Sequence, residues 1–468
     1  MDDFLREIQT SLFREWINNQ KRDYYHLHQS ETDPDAIIIE NEYCYSYVTF
    51  NPQCIIELCV MNKRTDEMAF YLHFQFKTLK HAISLFEEMD QCIKKMIDQP
   101  ICRLLLCCSG GMTTAFFADK IKNGIKVLNL NMEVAATSYQ KIYNVAQNYD
   151  VILLAPQVSY VKLQVEKVFK NKLVLKIPTQ IFASYNVGAL ITFVEESLKH
   201  KENKYNGYVE PLASMMEIKT NKNVLAVSIN ANGENSHISY RLYNLHQDIV
   251  LDSNIIKSNI KVQDVLDALD TVVLQNEMID VISIALPGVM VEGNVYSGII
   301  EGGNHQLKER LEKRYEKEIY LINDVNAAVV GYYASQNEYK SLAFLFQPIG
   351  RMAGSGIVVN GQLVRGMDHL AGEVALLPLK LSDSYLNLAN TPEGTLELVT
   401  KNIMSIIAIV SPEAIVVYSD LILDSQDVSD EIKKSLSQYS LKVYPKIIKV
   451  ENILEYILLG AMILSAKE

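Results

Sequence analysis

The stretch Cys108-Ser109-Gly110-Gly111-Met112-Thr113-Thr114 holds the residue types in this chain best placed to do chemistry. The apolar run Ile101-Cys102-Arg103-Leu104-Leu105-Leu106 before it reads as a short buried strand. From Thr113 to Lys122 the spacing of Ala115, Phe116 and Ala118 reads as a helix. A cysteine at a strand end, followed by glycines and hydroxyl residues that open a helix, brings backbone N–H groups to one point. The helix N-terminus adds partial positive charge there. Such a turn favours thiolate over thiol and can hold the oxygens of a phosphoryl group. The plainer reading, a buried thiol without chemical duty, suits Cys107, which lies within the strand.

The elements that must position this loop belong to a long chain. Its 468 residues suggest about three domains. An apolar share of 49% with 21% charged residues fits folded globular domains, and a net charge of −12 argues against a nucleic-acid partner. No apolar stretch reaches the roughly 18 residues of a membrane span. The stretch from Tyr456 to Ala466 comes nearest and reads as a buried C-terminal helix. The N-terminus lacks the pattern of a secretory signal, and seven irregularly spaced cysteines read as reduced thiols, so a cytoplasmic protein is expected. No Cys/His cluster has zinc spacing, and no metal site is expected.

Residues 1–98 read as α-β-β-β-α, with helices over 4–16 and 79–97 and strands over 36–50, 54–61 and 68–76. This α+β module shows no catalytic cluster, and its His26, His28, His73 and His81 suggest no common purpose. Residues 100–199 alternate strand and helix, with strands at 104–107, 127–131, 151–156 and 173–177. That alternation predicts a parallel sheet covered on both faces, with ligands at the C-terminal strand ends. A polar linker over 200–222 leads to residues 223–468, which are long enough for two lobes.

The second segment resembles enzyme IIB of the bacterial phosphotransferase system, in its lactose/cellobiose/chitobiose class. Two stretches support the likeness: the CSGGMTT loop and Asp150-Val151-Ile152-Leu153-Leu154-Ala155-Pro156-Gln157-Val158-Ser159-Tyr160. The departures are Ala155 where the family usually has Gly, and Pro178 and Asn186 where acidic residues are common. The resemblance implies a flavodoxin-like domain whose cysteine takes a phosphoryl group from a phosphohistidine of enzyme IIA. The group then passes to a sugar in a separate membrane enzyme IIC. Cys108 would be the nucleophile, and Ser109, Gly110, Gly111, Met112, Thr113 and Thr114 the phosphate-binding loop. No arginine lies in that loop, which suits a carrier better than a hydrolase.

The third segment resembles the ROK family of sugar kinases and sugar-responsive repressors, with its two-lobed actin/hexokinase fold. The landmarks, in family order, are Ala285-Leu286-Pro287-Gly288-Val289, Asn323-Asp324-Val325-Asn326-Ala327-Ala328, the run from Gly354 to Gly366, Ala371-Gly372-Glu373-Val374 and Pro412-Glu413-Ala414-Ile415-Val416-Val417. The resemblance makes Asp324 a catalytic base toward a sugar hydroxyl, and Asn323, Asp324 and Glu373 sugar contacts. The family's first phosphate loop, Asp-h-Gly-Gly-Thr (h for apolar), is here Ser228-Ile229-Asn230-Ala231-Asn232, without its carboxylate or glycines. The second reads Gly350-Arg351-Met352-Ala353-Gly354 and lacks its hydroxyl; Tyr418-Ser419 replaces a Gly-Gly, and Leu376 a usual His. Phosphoryl transfer from ATP depends on positioning and electrostatics, so these losses point to a pseudokinase without Mg-ATP.

The expectation is an α/β multidomain protein: an α+β module at 1–98, a IIB-like phosphocysteine domain at 100–199 and a degenerate ROK-like domain at 223–468. Its expected activity is phosphoryl acceptance at Cys108 for sugar uptake and phosphorylation, with no cofactor for the IIB-like part. The alternatives are a non-enzymatic sugar or flux sensor and a bifunctional protein that retains ATP-dependent sugar kinase activity. The expected partners are enzyme IIA, enzyme IIC and a sugar or sugar phosphate, with homo-oligomerisation left open.

Overall fold

The computed structural model describes all residues except 1–2, 21, 64–66, 98–101, 109–111, 129, 131, 170–171, 203–219, 233–234, 292–293, 297–298, 302–306, 368–369, 423, 438–443 and 468. Helix α1 (Asp3–Asn18) leads into an antiparallel meander of β1 (His26–Gln29), β2 (Ala36–Glu40), β3 (Cys44–Asn51), β4 (Ile55–Asn62) and β5 (Glu67–Gln75), closed by α2 (Leu79–Ile97). The apolar run over 36–50 is two strands rather than one. Asn41 breaks it: its side-chain oxygen accepts the amides of Tyr43 at 2.8 Å and Cys44 at 2.9 Å, a turn that asparagine makes readily. Ala82, Leu85, Phe86, Met89, Ile93 and Met96 recur at helical spacing on α2 and are buried with Phe13 and Ile17 of α1.

The middle segment runs β6 (Cys102–Cys108), α3 (Met112–Val127), β7 (Met132–Ser138), α4 (Ile142–Val145), β8 (Val151–Leu154), α5 (Lys162–Val168), β9 (Leu173–Lys176), α6 (Thr179–Ser184) and α7 (Val187–Glu202). The four strands are parallel in the order β7-β6-β8-β9, the doubly wound flavodoxin-like arrangement. Val127, where the expected strand over 127–131 would begin, is instead the last residue of α3, whose Phe117, Ile121 and Ile125 keep a buried helical stripe; residues 129 and 131 lie outside the described residues. The strand follows at Met132, where buried Met132 and Val134 alternate with exposed Glu133.

The last segment begins with β10 (Val224–Asn232), β11 (Asn235–Tyr243), β12 (Ile249–Lys257), the short β13 (Ile260–Lys261), α8 (Val262–Gln275) and β14 (Val281–Leu286). A hairpin of β15 (Val289–Val291) and β16 (Asn294–Tyr296) follows, then β17 (Ile300–Glu301), α9 (Leu307–Tyr315) and β18 (Glu318–Asn323). The second lobe contains α10 (Asp324–Ala334), β19 (Leu342–Phe346), β20 (Gly354–Val359), β21 (Gln362–Leu363), α11 (Tyr385–Leu388), α12 (Pro392–Ile409), β22 (Ala414–Tyr418), α13 (Ser425–Ser437), β23 (Lys446–Lys449) and α14 (Leu454–Lys467). Its sheet has the order β21-β20-β19-β22-β23. Helices α10 and α14 form the core that joins the two sheets, with Val224 and Val281 on one side and Phe344 and Val416 on the other. The helices cross almost in contact: a Cβ at Gly460 would sit 1.8 Å from the Ala327 carbonyl, and one at Gly331 2.0 Å from that of Tyr456.

The N-terminal strands do not form a sheet of their own. Strand β5 pairs antiparallel with β12, placing Tyr71 opposite Ile256. The result is a ten-stranded sheet in the order β1-β2-β3-β4-β5-β12-β11-β10-β14-β18, over one continuous core. Buried ion pairs seal the junction. Lys257 Nζ lies 2.5 Å from Glu88 of α2 and 2.6 Å from Asp264 of α8. Lys77 reaches Asp267 and Asp270, each at 2.5 Å. His73 bonds the Tyr240 hydroxyl at 2.8 Å, and burial lowers its pKa to about 4. Residues 1–97 thus complete the first lobe of the last segment, and the flavodoxin-like unit is inserted within that lobe's sequence. Among the described residues no helix is long and apolar enough to cross a membrane.

Candidate functional site

Cys108 ends β6, an inner strand of the parallel sheet flanked by β7 and β8, and is 4% exposed. Helix α3 starts at Met112, so a helix N-terminus follows the cysteine as the sequence implies. Ser109, Gly110 and Gly111 lie outside the described residues, and Met112, Thr113 and Thr114 are described only as backbone of α3. The neighbouring Cys107 is fully buried, and burial pushes its thiol up to about 12, with the Cys108 sulfur adding to the shift. A thiol so reluctant to ionise is a poor nucleophile.

The second motif braces the cysteine strand at both ends. The Asp150 carboxylate accepts the Arg103 amide at 2.8 Å, near the start of β6. The Ala155 amide donates to the Cys107 carbonyl at 2.8 Å, one residue before Cys108. Sequence reasoning missed a third brace. Tyr185, in a left-handed conformation after α6, sets its ring edge-on to Phe116 and Phe117 of α3, each centroid at 5.4 Å. An αL tyrosine after a short helix has no local signature.

The ROK-like residues gather where β18 meets α10. Asn323 is the N-cap of α10: its side-chain oxygen accepts the amides of Val325 at 3.1 Å and Asn326 at 3.0 Å. Its amide donates to the Gly288 carbonyl at 3.2 Å, tying down the Pro287-Gly288 turn. Asp324 follows as the first helical residue, 3% exposed, with its carboxylate accepting the Val325 amide at 2.9 Å. Burial raises its pKa to about 7, and the charge of Glu373 adds to the shift. Burial also raises the Glu373 pKa. Glu373 is held by a tight turn: Gly372 has φ +91°, and its carbonyl accepts the Ser355 amide at 2.9 Å. A Cβ at Gly372 would lie 1.8 Å from the Ser355 carbonyl oxygen, so only glycine fits. The structure therefore brings Asn323, Asp324 and Glu373 into one neighbourhood.

The two candidate phosphate loops carry hydrogen bonds within the protein. Residues Ser228 to Asn232 run unbroken in β10, paired one to one with β11 from Ser239 to Asn235. The Asn230 side chain donates to the Ser228 hydroxyl at 3.3 Å. In the second loop, buried Gln347 donates its amide to the carbonyls of Pro348 at 2.9 Å and Arg351 at 3.0 Å. The Tyr385 hydroxyl donates to the Gln347 side-chain oxygen at 2.9 Å and accepts the Ala353 amide at 3.1 Å. The Gly350 amide bonds the Ala389 carbonyl at 2.9 Å. Amides committed in this way are not free to cradle phosphate. At the Tyr418-Ser419 position, the Tyr418 ring packs on Phe346 with centroids 5.5 Å apart. Gln347 and Tyr385 could not be singled out from sequence, because their partnership crosses separate elements.

Family models match two regions: "PTS system, Lactose/Cellobiose specific IIB subunit" over residues 103–192 and "ROK family" over residues 233–385. Comparison with curated proteins found no match. Among solved structures, a ROK family protein from Streptococcus pneumoniae TIGR4 in complex with sucrose is 17% identical, over 52% of this chain and 97% of that chain, with a TM-score of 0.42. A ROK family glucokinase from Streptomyces griseus in complex with glucose and AMPPNP is 16% identical, over 52% and 99%, with a TM-score of 0.41. The lactose-specific IIB component domain of the phosphoenolpyruvate:carbohydrate phosphotransferase system from Streptococcus pneumoniae is 21% identical, over 20% and 96%, with a TM-score of 0.20. The chain therefore carries a lactose/cellobiose-type IIB region fused to a ROK-family region.

Proposed function

We propose that this protein is a phosphocarrier of the phosphotransferase system, taking a phosphoryl group from a phosphohistidine of enzyme IIA onto Cys108. The observation that carries the reading is the position of Cys108 at the C-terminal end of an inner parallel strand, braced by the second IIB motif through the Ala155 amide. The thiolate attacks phosphorus, the histidine nitrogen leaves, and loop amides with the α3 N-terminus stabilise the charge on the phosphoryl oxygens. The ROK-like lobes are proposed to hold a sugar beside Asp324 and Glu373 without using ATP. The self-bonded loop at Gln347 and Tyr385 supports that reading.

The test is reconstitution with labelled phosphoenolpyruvate, the general phosphotransferase proteins and candidate IIA proteins. Wild type and Cys107→Ser are expected to acquire acid-stable, iodine-labile label, and Cys108→Ser to remain at background. Equal labelling of Cys108→Ser would overturn the assignment. A coupled assay is expected to find no sugar-dependent ADP release, and ADP release abolished in Asp324→Asn would establish the bifunctional alternative instead.

A further inference from the structure

We propose that Cys108, once phosphorylated, is the phosphoryl donor for a sugar bound at Asp324 and Glu373 of the same chain, in place of ATP. This rests on the reading of Cys108 as a phosphocarrier. Three observations lead to it. The first is that Asp324 is not needed as a cap. Asn323 already accepts the amides of both Val325 and Asn326, so the 2.9 Å bond from the Val325 amide to Asp324 duplicates a satisfied donor. A carboxylate buried to 3% exposure costs stability unless it has another duty. Its raised pKa, about 7, suits a general base near neutral pH.

The second observation is that the neighbourhood has a base, while the loops that would cradle a nucleoside triphosphate carry hydrogen bonds within the protein. Gln347 and Tyr385 engage the Pro348 and Arg351 carbonyls and the Ala353 amide, and β10 continues through the other loop paired with β11. A site that keeps its base while its phosphate loops have lost their carboxylate, glycines and hydroxyl calls for a phosphoryl group delivered on another carrier. The third is topological. The IIB region leaves the first lobe after α2 and re-enters it at β10, so both its ends are anchored in the lobe that carries Asn323 at the end of β18. An encounter of two sites on one chain has an effective concentration on the order of mM where geometry permits.

The step balances without a further reactant. The sugar hydroxyl oxygen attacks phosphorus, and its proton passes to the Asp324 carboxylate. The O–P bond forms as the S–P bond breaks, and the Cys108 thiolate leaves. A thiolate, with a conjugate-acid pKa of about 8.5, leaves more readily than an alkoxide.

The experiment loads the full chain with labelled phosphoryl groups, with no membranes and no ATP, and removes the donor proteins by gel filtration. Label on Cys108 is measured first, which separates failure of the carrier reading from failure of this one. Glucose, N-acetylglucosamine, cellobiose or lactose is then added. The expected result is label moving from protein to at least one sugar, first-order and unchanged on dilution. In Asp324→Asn, transfer per loaded protein is expected to fall about 100-fold or more. The proposal is overturned by loaded wild type that keeps its label with every sugar as long as in buffer. Transfer by Asp324→Asn at the wild-type rate, or a rate proportional to protein concentration, also overturns it.

Discussion

Asp324 sets a pH dependence that can be read without any substrate. Its folded-state pKa is about 7, against an ordinary 3.8. Between these values the folded protein holds a proton that the unfolded chain has released. The stability associated with that proton is complete below the lower value and is lost as pH rises toward the upper one. Wild type should lose about 2–3 kcal/mol from this group between pH 5 and pH 8. Asp324→Asn removes that loss, so its melting temperature relative to wild type should rise from pH 5 to pH 8. A gap that stays constant across the range would show that the carboxyl is not held protonated. At Gly372, where a Cβ would meet the Ser355 carbonyl at 1.8 Å, Gly372→Ala should displace Glu373 and lower the denaturant midpoint. The sequence singled out Asp324 and Glu373 because they stand in recognisable motifs. It could not assign the capping of α10 to Asn323, since either neighbouring side chain could have filled that place.

Between elements, side chains from one segment complete another. Tyr385 opens α11 and seals a loop that ends at Ala353. Tyr385→Phe leaves the Ala353 amide and the Gln347 side-chain oxygen short of a partner and should cost about 1–3 kcal/mol by chemical denaturation. It should not create ATP turnover, because β10 still lacks the carboxylate and glycines. Lys257 joins α2 to α8, and Lys257→Met leaves Glu88 and Asp264 facing each other inside the junction. The expected loss is about 3–5 kcal/mol, whereas replacing all three by apolar residues should recover much of it. The βα alternation of the IIB region was legible because each element declares itself within a few residues. The boundary at 127–132 was not, because valine and leucine suit a strand as well as the last turn of a helix.

At the scale of the whole molecule, the sequence suggests three units in a row, and the IIB and ROK regions match family models as separate stretches. The pairing of Tyr71 with Ile256 spans the entire inserted region, and no local pattern announces a partner so distant. A chain beginning at residue 223 would expose the β12 edge and the apolar face that α2 covers. It should therefore be poorly soluble, while residues 1–97 joined by a short linker to 220–468 should melt in one transition. Heating both, with light scattering alongside, distinguishes a shared fold from adjacent ones. The same topology determines what a single cut can release. A protease site introduced near residue 210 and cleaved to completion would give two bands on a denaturing gel and one particle on a sizing column. Five strands of the ten-stranded sheet would then lie on each side of the cut. The carrier would remain fastened by its other end to a body whose two pieces hold each other without a peptide bond.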